Sequence, residues 1–217
     1  MVSDLSSGYP FAVGVINGDA GDAPDAVEWA IPAEQVSAPP IDHGDIMSAL
    51  VTNAAPDITA PAVLPDNSIG EFKLADQKGR YTLLLFYPLD FSPVCPAEIR
   101  EFNARIGEFA ERECDVVGIS IDSQFTHQAW RNADADNGGV GQLDFTLVAD
   151  LTKEIARSYG VLLGEAVALR SQFLIDPEGN VRHALINDLP FTRSVDEALR
   201  IVDAVRGAGQ PEACATE

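Results

Sequence analysis

The sequence predicts an α/β domain built on a mixed central sheet flanked by helices, and three patterns carry that prediction. Residues 81–87 (YTLLLFY) and 116–121 (VVGISI) are continuous apolar runs of strand length, as expected for strands buried on both faces. Between them Ile99, Phe102, Ile106 and Phe109 recur at helical spacing, so strand gives way to helix and back to strand. Towards the end, residues 171–175 and 181–186 flank the turn Pro177-Glu178-Gly179-Asn180, a hairpin that adds antiparallel strands to the sheet.

Taken in order, residues 1–54 form an extension rich in Ala, Asp, Gly and Pro. Two short apolar runs, 11–16 and 27–31, leave a small hairpin or arm and a solvated acidic tail both open for it. Residues 55–206 carry the domain, and 207–217 a C-terminal tail. Within the domain, 70–74 reads as an edge strand and 81–87 as a central strand. A Pro-punctuated loop follows, then one amphipathic helix over 94–113. Next come the strand 116–121, a helix around 127–133, the strand 146–148 and a short helix over 152–159. The hairpin and a last amphipathic helix over 194–206 complete it. A thioredoxin-like fold is the simplest architecture with this order, which by itself settles no function.

Composition narrows the chemistry. The 217 residues are 46% hydrophobic, enough for a proper core. No stretch approaches the ~20 apolar residues of a membrane span, and the N-terminus lacks the basic flank and apolar run of a signal peptide. A cytoplasmic protein is the default. The formal net charge is −20, and residues 1–60 hold nine acidic residues and no Lys or Arg. Nucleic acid and anionic membrane surfaces are therefore excluded as partners. The three cysteines are widely spaced with no Cys-x-x-Cys, and the three histidines are scattered, so neither a disulfide framework nor a metal site is expected. No cofactor is expected either.

Cys95 follows the central strand and its loop and opens the long helix, with Pro96 placed where a missing N–H costs little. Unpaired N–H groups and the positive end of the helix dipole favour thiolate there, although a buried, inert cysteine fits the same position. Cys114 lies nineteen residues on, near the far end of the same expected helix. Roughly 28 Å would then separate the two, far beyond the ~7 Å limit of a disulfide, so Cys114 reads as structural.

The stretch Tyr87-Pro88-Leu89-Asp90-Phe91-Ser92-Pro93-Val94-Cys95-Pro96-Ala97-Glu98 resembles the peroxiredoxin signature Pro-x-x-x-Thr/Ser-x-x-Cys. The resemblance, to the typical two-cysteine members, spans residues 55–214. It takes in 123–130 (SQFTHQAW), 173–179 (FLIDPEG) and Asn187-Asp188-Leu189-Pro190. It implies that Cys95 attacks hydrogen peroxide or an alkyl hydroperoxide and becomes a sulfenic acid. Ser92 would hydrogen-bond the thiolate and the peroxide, Pro88 would shield the pocket, and Arg170 would stabilise the thiolate and the polarised O–O bond. Glu98 and Arg193 match a supporting ion pair, for which a solvated surface pair is the alternative. His127 and Trp130 read as packing residues.

Cys214, in Gln210-Pro211-Glu212-Ala213-Cys214, resembles the segment around the family's resolving cysteine. The resemblance implies an intersubunit disulfide, reduced by thioredoxin or a dedicated disulfide reductase, in a homodimer that assembles into a ring-shaped decamer. Gly138-Gly139-Val140-Gly141 resembles the Gly-Gly-Leu-Gly loop of overoxidation-sensitive members, but no Tyr-Phe-bearing terminal helix accompanies it. Comparative resistance to overoxidation is the expectation. A ring-forming scaffold or holdase-like chaperone on the same fold is the alternative function. A dithiol oxidoreductase is disfavoured by the absence of Cys-x-x-Cys.

Overall fold

The computed structural model describes residues 50–208, so residues 1–49 and Cys214 lie outside the described residues. Its centre is a seven-stranded sheet. The strands are β1 (Thr59–Val63), β2 (Ile69–Lys73), β3 (Tyr81–Phe86), β4 (Cys114–Ser120), β5 (Thr146–Ala149), β8 (Arg170–Ile175) and β9 (Val181–Asn187). Their order across the sheet is β2-β1-β5-β4-β3-β8-β9. β3, β4 and β5 run parallel, while β1, β8 and β9 are each antiparallel to the strand they join, which makes the sheet mixed as predicted. A two-stranded ribbon, β6 (Leu162–Leu163) with β7 (Val167–Ala168), stands apart from it.

The apolar run of β3 is explained by helices on both faces. Leu83, Leu85 and Tyr87 pack into one cluster with Ile99, Phe102, Trp130, Val195 and Leu199. Leu84 and Phe86 pack into the other with Ile58, Ile155, Tyr159 and Phe173. The first cluster belongs to α1 (Cys95–Ala104), α3 (Gln124–Asn132) and α5 (Val195–Ala208), the second to α4 (Glu154–Ser158). Ser123 caps α3 by accepting from the Thr126 N–H at 3.2 Å.

Two expectations need correction. The single helix over 94–113 is two, α1 and α2 (Ile106–Ala110), broken at Arg105 (φ −114°, ψ 16°). Because only one residue interrupts it, Ile99, Phe102, Ile106 and Phe109 still face inward, so apolar spacing alone does not reveal the break. Cys114 therefore ends no helix. Glu113 takes a left-handed conformation (φ 54°) and turns the chain into β4, where Cys114 lies beside Tyr81 at the start of β3. The five steps from Tyr81 to Phe86 cover about 17 Å, and Cys95 lies past that far end. The two cysteines are still far apart, but because they sit at opposite ends of the sheet.

β1 is not expected from its sequence, TAPAV, which holds a proline and little alternation. Pro61 is tolerated because β5 pairs only with Ala62 and Val63, so no ladder bond to β5 is lost. The expected edge strand at 70–74 is β2, and it does lie at the sheet's edge.

Candidate active site

The site forms where β3 hands over to α1. After Phe86 the chain passes Tyr87 and Pro88, both buried, and Phe91 takes φ 52° in the loop that leads to Cys95. Cys95 is the first residue of α1 and is 0% exposed. Pro96 falls in the first turn, where its missing N–H leaves no intrahelical bond unmade. The Ser92 hydroxyl accepts from the Cys95 N–H at 3.4 Å, which leaves its own proton free to donate.

Arg170 opens β8, is 3% exposed, and directs Nη1 to within 3.3 Å of Cys95 Sγ. The same nitrogen bonds Glu98 Oε2 at 3.1 Å, and Nε donates to Leu189 O at 2.6 Å. Glu98 lies one helical turn after Cys95 and also binds Arg193. Arg193 Nε reaches Oε1 at 3.0 Å, Nη2 reaches Oε2 at 2.8 Å, and the Arg193 N–H reaches Oε1 at 2.8 Å. Arg193 Nη1 then donates to Phe86 O at 2.8 Å and Ser171 O at 2.5 Å. One carboxylate and two guanidiniums thus tie α1 to the ends of β3 and β8. Burial would raise the Glu98 carboxyl, but the hydrogen bonds and charge of Arg193, with the charge of Arg170, hold it below the usual range. A solvated surface pair, the alternative for Glu98 and Arg193, does not describe side chains that are 1% and 0% exposed.

A second buried network braces the loop from behind. Asp90 accepts from Tyr87 Oη at 2.8 Å and pairs with His127 Nδ1 at 2.7 Å, while its N–H donates to Asp122 Oδ2 at 2.9 Å. His127 Nε2 faces Val148 O at 3.1 Å, so that nitrogen carries a proton. Burial raises the Asp90 carboxyl, with the His127 contact opposing it. His127 is therefore hydrogen-bonded at both nitrogens as well as packed. Trp130 stacks on Tyr87 with ring centroids 5.6 Å apart and donates to Gly138 O at 2.8 Å. Gly138 starts the glycine-rich loop, which Arg100 of α1 also grips at Gly139 O, 3.3 Å away. Nothing local in the sequence marks Asp90, Asp122 or Arg100. Apart from Tyr87 for Asp90 and Ser120 for Asp122, the partners named here lie 32 to 39 residues away.

Residues 51–184 match the AhpC/TSA family. The alkyl hydroperoxide reductase C of Helicobacter pylori (strain ATCC 700392 / 26695) is 51% identical over 158 residues, covering 72% of this chain and 80% of that protein. The chain is a peroxiredoxin of the AhpC/TSA family. Mouse peroxiredoxin-2 is 49% identical to this peroxiredoxin over 158 residues, 72% of this chain and 79% of that one. The reduced crystal structure of Plasmodium vivax 2-Cys peroxiredoxin superposes with a TM-score of 0.73 at 44% identity, covering 74% of this chain and 83% of that chain. The thioredoxin-like fold follows, and with it an enzyme of peroxiredoxin type.

In this peroxiredoxin the structure brings Ser92, Cys95, Glu98, Arg170 and Arg193 together from three separate stretches of chain, while Pro88 is buried in the loop between β3 and Cys95. Cys114 is not among them. It is 1% exposed, and burial, reinforced by the Asp115 charge, pushes its thiol up to about 12. Native protein treated with iodoacetamide at pH 8 should leave Cys114 unlabelled, and denaturation in urea should expose it to rapid alkylation. Peptide mass spectrometry reads both, and native labelling at Cys114 would contradict the burial argument. Among the described residues no helix is long and apolar enough to cross a membrane.

Proposed function

We propose that the protein is a cytoplasmic thiol peroxidase with Cys95 as its nucleophile. The observation that carries this reading is the guanidinium of Arg170, held 3.3 Å from Cys95 Sγ by Glu98 and Leu189 O. A thiolate at Cys95 accepts from Arg170 Nη1, and its sulfur attacks the terminal oxygen of the hydroperoxide ROOH. The S–O bond forms as the O–O bond breaks. The sulfur becomes a sulfenic acid, and the departing RO⁻ takes a proton and leaves as ROH. Arg170 and the free proton of Ser92 are placed to stabilise charge on the peroxide oxygens as it develops, and buried Pro88 keeps water from the sulfur.

Resolution by Cys214 of a second subunit is favoured by the course of α5. The helix starts next to Arg193 and ends with Arg206 near Glu113 (3.8 Å), at the opposite end of the sheet from Cys95. Fourteen residues span about 21 Å, and the six residues from Ala208 to Cys214 reach at most about 20 Å. To meet its own Cys95 the tail would have to retrace the whole helix fully stretched. A partner's Cys214 escapes that constraint, though the buried Cys95 must first leave its pocket by opening the first turn of α1. The edge of β9 beyond Val181, which pairs with no further strand among the described residues and where Ile186 is 47% exposed, and the apolar surface at Phe125 and Leu151 are suited to a homodimer and its assembly into a decamer. Thioredoxin or a disulfide reductase then completes the cycle.

Peroxide treatment followed by non-reducing electrophoresis tests this reading. A disulfide-linked dimer should form in wild type and vanish in both Cys95→Ser and Cys214→Ser. A dimer band that persists without Cys95 would overturn it. The scaffold alternative predicts no peroxide consumption in wild type.

A further inference from the structure

The buried pair Asp90–His127 takes no part in the chemistry above, yet it fixes the chain five residues before the nucleophile. Both side chains are 0% exposed. Val148 O occupies His127 Nε2, so Nδ1 shares one proton with Asp90 Oδ2 across 2.7 Å. Tyr87 Oη donates to the other carboxylate oxygen at 2.8 Å, and the Asp90 N–H reaches Asp122 at 2.9 Å. Asp90 is thereby tied to α3 and, through the imidazole, to β5 inside the sheet.

The chain beyond it is held less firmly. Ser92 Oγ accepts from the Cys95 N–H and Val94 O accepts from the Glu98 N–H, both at 3.4 Å. Arg170 grips the sulfur itself, but that grip depends on charge. A thiolate attracts the guanidinium, whereas a neutral sulfenic acid has lost the charge. Once Cys95 is oxidised, Asp90 is the firm point on the N-terminal side of the first turn of α1.

The sulfenic acid has two fates. In the closed site its sulfur can attack a second ROOH: an S–O bond forms, the O–O bond breaks, ROH leaves and a sulfinic acid remains. In the open form the thiolate of Cys214 of the partner subunit attacks that sulfur. An S–S bond forms, the S–O bond breaks, and the oxygen takes a proton and departs as water. We propose that Asp90, held by His127 and Tyr87, is a positioning residue that sets how readily the loop opens. It thereby sets how the sulfenic acid divides between disulfide and sulfinic acid. This rests on the thiol-peroxidase reading with Cys214 as resolving cysteine, and adds the side chains that govern the step between.

Mixing the reduced full-length protein with rising hydrogen peroxide tests it, with mass spectrometry measuring disulfide and sulfinic acid at Cys95. Asn places its amide nitrogen near the position of Nδ1 and Gln near that of Nε2, so only His127→Asn can still donate to Asp90. His127→Gln should raise the peroxide concentration that converts half of Cys95 to sulfinic acid about fivefold, as loss of one buried hydrogen bond implies. His127→Asn should stay within about twofold of wild type. Tyr87→Phe, which removes a single hydroxyl and keeps the ring, should shift it about threefold in the same direction. That variant decides the matter if His127→Gln fails to fold. The stopped-flow rate constant of the first oxidation should stay within about twofold throughout, because Arg170 and Ser92 are untouched. No rise in Tyr87→Phe, or equal shifts in His127→Asn and His127→Gln, would refute the proposal while leaving the peroxidase intact. A wild type that forms sulfinic acid but no disulfide would remove the Cys214 step. One that does not react with peroxide would sink the thiol-peroxidase reading itself.

Discussion

Arg170→Met is expected to slow the reaction of reduced protein with hydrogen peroxide by on the order of 10²–10³-fold, the usual cost of losing a preorganised charged donor at the reacting atoms. The substitution keeps side-chain length and removes the charge 3.3 Å from Cys95 Sγ. Glu98 retains Arg193, so the fold should survive, and unchanged circular dichroism would confirm that the loss is chemical. Arg170→Lys should rescue little. Arg170 uses Nη1 towards the sulfur and Nε towards Leu189 O, and one ammonium cannot supply both donors in that fixed geometry. Stopped-flow fluorescence measures the rate constant, and a value within about threefold of wild type would remove Arg170 from the mechanism.

The second large effect concerns stability. Glu98→Gln is expected to destabilise the protein by about 3–5 kcal/mol at pH 7, because two buried guanidiniums lose the carboxylate between them. The pH dependence has a definite sign. Holding the Glu98 carboxyl below its unfolded value of about 4.3 means its contribution is complete above that pH and is lost as pH falls through the lower, folded value. The gap between wild type and Glu98→Gln should therefore be widest near neutrality and narrow below about pH 4. Urea denaturation across this range measures it, and a gap that widened in acid would contradict the assignment. Burial decides the size of the effect. The same triad in solvent would contribute at most about 1 kcal/mol.

Elements shaped by their own residues are legible along the chain. The run YTLLLFY is apolar on both faces because helices cover both faces, and the Pro177–Asn180 turn folds on its own neighbours, with the Gly179 N–H on Asp176 O at 2.9 Å. Elements defined by their partners are not. β1 becomes a strand by lying between β2 and β5, and the break at Arg105 leaves the inward face of the helix unchanged. Apolar spacing carries the helix on as far as Cys114, although a left-handed residue just before it opens a strand instead.

The site divides in the same way. From the sequence alone come the nucleophile candidate Cys95 at a helix start and, within the same twelve residues, Ser92 and Pro88. Spacing and helical periodicity are local properties, readable along one stretch of chain. Only the tertiary structure decided that Arg170, 75 residues from Cys95, lies against its sulfur. It also decided that Glu98 and Arg193 are a buried clamp rather than a surface pair, and that His127 binds Asp90. Those facts depend on which strands neighbour β3 and on how much water is excluded there. Both follow from how the whole chain packs, and no short window of residues contains them.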